Sequence, residues 1–211
     1  MDDRRPTAAK PSLRERKKID KRGRILAAAT ELFAEKGYSA VTTAEIASAA
    51  DVGVGTLFRY AGSKAELLVS VMNQRFSDGI EAGLSEAAEG RTIQESVLAI
   101  LHPLAEASMA HPENMIAYER EALFGSEERR KQATDSVSQV EQAILEVLRL
   151  HNATPRNLAT KLEDIAHTIY AVLYLDIVKV GAGRAQVDDL PNQIRTSVNY
   201  LVEALIENRQ A

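Results

Sequence analysis

TTAEIASAADVGVGTLFRYAGSKAELL, residues 42–68, is the stretch on which the reading of this chain turns. Thr42 and Glu45, three residues apart, form a capping box that opens a short helix carrying Ile46, Ala47, Ala49 and Ala50. Asp51-Val52-Gly53 reads as a tight turn, and Val54 to Tyr60 as a third helix of about two turns. A second box, Ser63 to Glu66, starts a fourth helix whose apolar side holds Leu67, Leu68, Val71, Met72 and Phe76. Two short helices joined by a glycine-containing turn make a helix-turn-helix. Leu57 is expected to point inward toward Ile46 and Ile25, which leaves Val54, Thr56, Arg59 and Tyr60 outside.

The three glycines and closing lysine of this stretch also invite a nucleotide-loop reading, which fails on spacing. A P-loop needs G-x-x-x-x-G-K-[ST] after a buried strand, so that backbone N–H groups surround the phosphates. Here Ser63 separates Gly62 from Lys64, and an alanine-rich helix precedes the turn. Gly53-x-Gly55 lacks the third glycine of a dinucleotide fingerprint. A DNA reading gives each residue work. Gly53 permits the turn, and Gly55 lets backbone approach a groove closely. Arg59 can donate twice to a guanine edge, and Val54 or Thr56 can touch a thymine methyl. Lys64 adds charge to the free N–H donors at the start of a helix, a site suited to a phosphate.

Outward from this centre the chain reads as helix after helix. Ile25, Ala28, Ala29, Leu32 and Phe33 share one face of a helix beginning near Arg22, with Gly37 as its left-handed C-cap. Residues 1–20, with two prolines and many charges, read as a mobile basic arm. Thr92 to Glu95 is a third capping box, followed by Val97, Ile100, Leu101 and Leu104, with Pro103 expected to kink or split that helix. His111-Pro112 precedes a helix to Phe124, and Ser126 caps the next, faced by Val137, Val140, Ile144, Val147 and Leu148. Thr154-Pro155 predicts a start for the helix through Leu158, Leu162, Ile165, Ile169, Val172, Leu173 and Ile177. Pro191 opens the last helix. The expectation is an all-α chain, with residues 21–66 as a DNA-binding domain and 67–211 as a larger helical domain.

Composition agrees with this division. The chain has 211 residues, 45 % of them hydrophobic, and no cysteine, which excludes disulfides, thiolate chemistry and zinc–cysteine sites. Absence of an apolar leader or of a long apolar run predicts neither secretion nor a membrane span, and a cytoplasmic setting. The net charge of −4 hides an asymmetry: residues 1–64 hold 13 Lys/Arg against 8 Asp/Glu, and the rest 13 against 22. A basic head on an acidic body suits a polyanionic partner at the head alone.

Residues 22–72 resemble the DNA-binding domain of the tetracycline-repressor (TetR) family, through LFAEKGY, TTAEIA, GTLFRY and SKAELL. The resemblance covers about a quarter of the chain by motif and the whole of it by length and helix order. It implies a regulator, most simply a repressor, and no enzyme or cofactor. Its partners would be a double-stranded DNA operator with a palindromic sequence, a second copy of the chain, and a small-molecule effector that releases the DNA. Thr43 then resembles a phosphate contact; Val54, Gly55, Thr56 and Arg59 match recognition positions, with Tyr60 beside them; Lys64 matches a phosphate-clamping lysine. Phe58 stands where a tyrosine is usual, and Tyr60-Ala61 replaces a common His-Phe pair.

The remaining candidates lie in the acidic body. Ile194, Val198, Leu201 and Leu205, with Val202 beside them, form a stripe wide enough for a dimeric four-helix bundle, or for an ordinary core face. His102, Met115, Tyr118, Phe124, His167, Tyr170 and Asp176 are polar or aromatic residues in apolar helices that could line an effector pocket or sit in the core. Asp164-x-x-His167 has the spacing of a helical metal site, but no second copy exists to complete a di-metal bundle. A ligand-independent helical DNA-binding or scaffolding protein is the alternative reading.

Overall fold

A computed structural model describes residues 12–157 and 159–206. They form α1 (Leu13–Ala40), α2 (Thr43–Ala49), α3 (Val54–Leu57), α4 (Lys64–Ala88), α5 (Ile93–Ala110), α6 (Pro112–Phe124), α7 (Glu127–Leu150), α8 (Leu162–Gly181) and α9 (Leu190–Leu205), with a 3₁₀ turn at Val187–Asp189. The expected all-α class holds, and no helix is long and apolar enough to cross a membrane among the described residues.

Helix starts follow local chemistry closely. Thr42 Oγ1 accepts the Glu45 N–H at 3.2 Å, and Glu45 returns by accepting the Thr42 N–H at 2.8 Å. Thr92 and Glu95 do the same for α5. The α4 start departs from the pattern: Ser63 Oγ caps Glu66, but the Glu66 carboxylate takes the Gly62 N–H instead of that of Ser63. A further box, Ser12 with Glu15, starts α1 at Leu13. Residues 13–20 are therefore helical where a mobile arm was expected, because the box satisfies the N–H groups of a first turn. Residues 1–11 lie outside the described part.

Gly37 breaks α1 as expected, at positive φ (φ 75°, ψ 164°), and a short turn follows to Ala40. Three other expectations need correction. α3 ends at Leu57, though i→i+3 bonds carry the turn on to Arg59 and Tyr60. Pro103 does not split α5, which runs unbroken. Buried Ile100, Leu101, Leu104 and Ala105 on either side hold it against α4. Pro155 does not start a helix; it bridges Ile206, and the Arg156 N–H donates to Leu205 O at 2.9 Å. The carbonyl groups at the end of α9 lack helical partners, and this segment supplies them before α8 begins at Leu162.

The core is continuous from head to body. Ile25, Phe33, Ile46 and Leu57 are buried in the head, and Leu67, Leu68, Val71, Met72 and Phe76 carry that core along α4. Further along α4, Gly79 and Gly83 let α5 approach: a Cβ on either would collide with Ile100, and one on Gly83 would lie 2.6 Å from Ser96 O. The α9 stripe also belongs to this core. Ile194, Val198, Leu201 and Val202 are buried, and Leu205 half-buried, within a single chain whose α9 packs on α5 and α8. Within one chain these five side chains serve as a core face, and a partner could cover only the little that they leave to water.

Candidate nucleic-acid interface and interior polar cluster

The helix-turn-helix is held from behind and open in front. Leu57 packs fully buried against the core of α1 and α2, as its spacing predicts. Val54, Gly55, Phe58 and Arg59 face solvent, and Thr56 is half-buried. Arg59 lies along the helix, its Nη2 donating to Thr56 Oγ1 at 3.2 Å. Gly55 has open space where a Cβ would be. Tyr60 turns the other way and packs half-buried against the core. Phe58, which sequence reading noted only for its missing hydroxyl, joins the exposed set one turn after Val54. The spacing of those two residues carried that signal.

Thr43 and Lys64 stand at the neighbouring helix starts. Thr43 is half-buried in the first turn of α2. The Lys64 ammonium donates to Tyr38 O and Val41 O, each at 2.8 Å, and sits 4.4 Å from the centre of the Tyr38 ring. Two of its three donors therefore tie α4 to the α1–α2 connection. The same connection is gripped from α6. Tyr38 N–H donates to Asn114 Oδ1 at 2.7 Å, and Asn114 Nδ2 donates to Phe33 O at 2.8 Å. Ser39 N–H donates to Glu113 at 3.0 Å, which holds that carboxyl below its usual range. The break at Gly37 frees these N–H groups, and α6 receives them.

The seven pocket candidates scatter. Phe124 is 81 % exposed, so it lines no interior of the chain. His102 is exposed and 3.6 Å from Glu106, at the mouth of an α5–α9 groove of about 130 Å³. His167 is exposed beside Glu141 at 3.2 Å. Asp164 instead caps its own helix by accepting the Lys161 N–H at 3.3 Å. Among the described residues no group of side chains could hold a metal ion. Asp176 is buried but fully occupied: it accepts from Ser197 Oγ at 2.8 Å, Gln193 Nε2 at 3.0 Å and Lys179 Nζ at 3.3 Å. It joins α8 to α9.

Met115, Tyr118 and Tyr170 do go inside. The Tyr118 ring lies 5.8 Å from that of Phe76, and its hydroxyl donates to Asn73 Oδ1 at 3.2 Å. Tyr170 and Tyr174 stack at 5.7 Å, and the Tyr174 hydroxyl donates to the Glu119 carboxylate. The Tyr170 hydroxyl is buried with no hydrogen-bond partner. Burial raises the Glu119 carboxyl, against the lowering effect of the Tyr174 bond, and raises all three phenols. Asn73, Glu119 and Tyr174 escaped sequence reading. The pair Tyr170 and Tyr174, one turn apart on an apolar helix, was the available signal.

Comparison with known proteins accords with this geometry. Residues 25–71 match the model of bacterial regulatory proteins of the tetR family. The chain is 27 % identical over 183 residues to the HTH-type transcriptional repressor KstR of Rhodococcus jostii, covering 87 % of this chain and 83 % of that one. KstR of Mycobacterium tuberculosis is 35 % identical over 126 residues, 59 % of this chain and 55 % of that one. The crystal structure of Thermus thermophilus FadR, a TetR-family repressor in complex with lauroyl-CoA, superposes with a TM-score of 0.63 at 25 % identity, covering 90 % of this chain and 98 % of that one. Residues 25–71 thus match the DNA-binding domain of the tetR family, and the chain with its all-α body is similar over most of its length to TetR-type transcriptional regulators.

Proposed function

We propose that the chain represses transcription as a homodimer on a palindromic operator and leaves it when an effector enters the body. The observation that carries the DNA half is the exposed face of Val54, Gly55, Phe58 and Arg59, with half-buried Thr56 among them, over a fully buried Leu57. Arg59 swings from Thr56 to a guanine edge, and Val54, Thr56 and Phe58 meet thymine methyls or sugars. Thr43 approaches a phosphate at the start of α2. Lys64 positions the head, with its third donor left for a phosphate. Repression is the sign borne by the KstR and FadR names, while FasR of Mycolicibacterium smegmatis, 37 % identical over 73 residues, is named an activator.

Dimerisation uses the outer face of α8 and α9 in place of the buried stripe. Thr168, Ala171 and Leu175 on α8 and Thr196 and Tyr200 on α9 are exposed at three- and four-residue spacing. Leu175 is 52 % and Tyr200 70 % exposed, large apolar side chains that a second copy would cover. Two heads would then sit about one DNA turn apart, roughly 34–36 Å.

The effector reading rests on Tyr170. A buried hydroxyl without a partner costs about 1–3 kcal/mol, so a bound acceptor group would be favoured there. The Phe76–Tyr118 and Tyr170–Tyr174 ring pairs make this interior apolar. The ligand chemistry we propose for it is an apolar chain with one polar end, as in the lauroyl-CoA complex of Thermus thermophilus FadR. An effector acts only through its differential affinity for DNA-compatible and DNA-incompatible states.

Selection of duplexes from a random library tests the first part, and should return an inverted repeat bound by two chains in light scattering. A single unrepeated site bound by one chain would overturn the dimer. Acyl-CoAs of graded length, lauroyl-CoA first, test the second. The expected result is a raised melting temperature together with release of the selected duplex; stabilisation with unchanged DNA affinity favours a ligand-independent DNA-binding protein.

A further inference from the structure

The positive charge of this chain lies beside its helix-turn-helix, not within it. Residues 25–64 hold three Lys/Arg against four Asp/Glu. Of the three, Lys36 pairs with Glu45 at 2.9 Å and Lys64 is bonded to two carbonyls, which leaves Arg59. A duplex carries one negative charge per about 1.7 Å, and affinity for it comes largely from neutralising phosphates. One arginine is a poor match. Residues 12–24, by contrast, hold seven Lys/Arg against two Asp/Glu.

Their placement follows from Arg24. Its Nη1 donates to Ala50 O at 2.9 Å and lies 3.4 Å from Asp51 Oδ2, so α1 is fastened to the turn that leads into the recognition helix. Lys21 and Lys17, three and seven residues earlier, continue the row of Arg24 on one helix face. Lys17, Lys18 and Arg22 are exposed, and Lys21 is half-buried. From Arg24 back to Leu13 the helix extends about 16 Å at about 1.5 Å per residue. That length matches about five base pairs of duplex at about 3.4 Å each.

We propose that the first three turns of α1 form a cationic rod that lies along the phosphate backbone beside the recognition helix and supplies most of the charge contacts to DNA. The inference rests on the DNA-binding reading above and assigns its affinity to one element and its sequence preference to another. The rod is a helix because Ser12 and Glu15 box its start, so its charges arrive in fixed register instead of being ordered on contact.

The test uses the full chain with Lys17, Lys18, Lys21 and Arg22 all changed to Gln, on a random duplex of about 30 base pairs and on the selected operator. The salt slope of the logarithm of affinity should fall by about 0.9 for each phosphate contact removed, about two to four per chain, with base preference unchanged. The charge-preserving set Lys17→Arg, Lys18→Arg, Lys21→Arg and Arg22→Lys should keep the wild-type slope. Circular dichroism follows the helix. If the quadruple variant loses helix, Lys17→Gln and Lys18→Gln are measured singly, each expected to lower the slope by about 0.9 per bound chain. A slope equal to wild type overturns the proposal, and so does tighter DNA binding by the Gln set, which would mark a contact with the acidic body instead. Failure of the wild type to bind any duplex sinks the DNA reading itself, whereas wild-type binding with an unaltered variant slope sinks the rod alone.

Discussion

Arg59 and Gly55 show opposite demands on one short helix. Arg59 is held only by Thr56 Oγ1 at 3.2 Å and has little to lose on leaving it. Arg59→Ala should therefore weaken operator binding by about 1–3 kcal/mol and relax preference at one base pair, measured by competition among operator variants. Unchanged preference would remove it from base readout. Gly55 meets open space at its missing Cβ, so Gly55→Ala should raise helix stability by up to about 1 kcal/mol in thermal unfolding. The same methyl should weaken DNA binding if backbone approaches the groove there; equal affinity would place that backbone farther away. In the body, burial raises the Glu119 carboxyl above its ordinary value. The folded state then binds the proton more tightly than the unfolded state, so stability falls as pH rises from about 4.5 through the raised value. Glu119→Gln keeps an acceptor for Tyr174 and removes the ionisation. The variant should match wild type in melting temperature near pH 4 and exceed it near pH 7; a constant difference across that range would refute the assignment.

At the scale of elements, helix starts and close crossings do different things. The boxes of α1, α2 and α5 hold Glu15, Glu45 and Glu95 below the ordinary carboxylate value. Glu45 reaches about 2, first because it accepts from Lys36 and then from Thr42. These contacts lie within a turn or between neighbours, so residue spacing reveals them. The α4–α5 crossing is different in kind. Gly83 faces Ile100 and Ser96 O across the crossing, thirteen and more positions away in the chain. Gly83→Ala should destabilise the protein by about 1–3 kcal/mol in denaturant unfolding, although the same change on an open helix stabilises it. A stabilised variant would show that the two helices can separate freely.

At the scale of the whole molecule, the described residues fasten head to body through the continuous α4 and through Glu113 and Asn114 of α6, which grip the end of α1. Asn114 alone closes two hydrogen bonds, to Tyr38 N–H and Phe33 O, between α6 and the end of α1. Tyr118 and Glu119 lie one turn further along the same helix, in the interior polar cluster. Asn114→Ala leaves two backbone groups without partners, at about 1–3 kcal/mol each. The expected outcome is a lower melting temperature and faster amide exchange at Tyr38. Under the effector reading, ligand should then alter DNA affinity less than in wild type. Exchange at Tyr38 unchanged from wild type would show that water replaces the side chain without loss.

The sequence by itself determined what depends on neighbours a few residues apart. Capping boxes, the turn at Asp51–Gly53, the inward Leu57 and the outward Arg59 all follow from the 3.6-residue period and from N–H groups left free at helix starts. Tertiary structure alone decided which apolar stripes face inward. The α9 stripe reads equally as a core face or a partner face, because periodicity shows that one side must leave water and not what covers it. The same holds for Lys64, whose charge suggested a phosphate and whose donors meet two carbonyls, and for Pro155, which ends up pairing the last turn of α9. Such partners lie far off along the chain, and only folding brings them into reach.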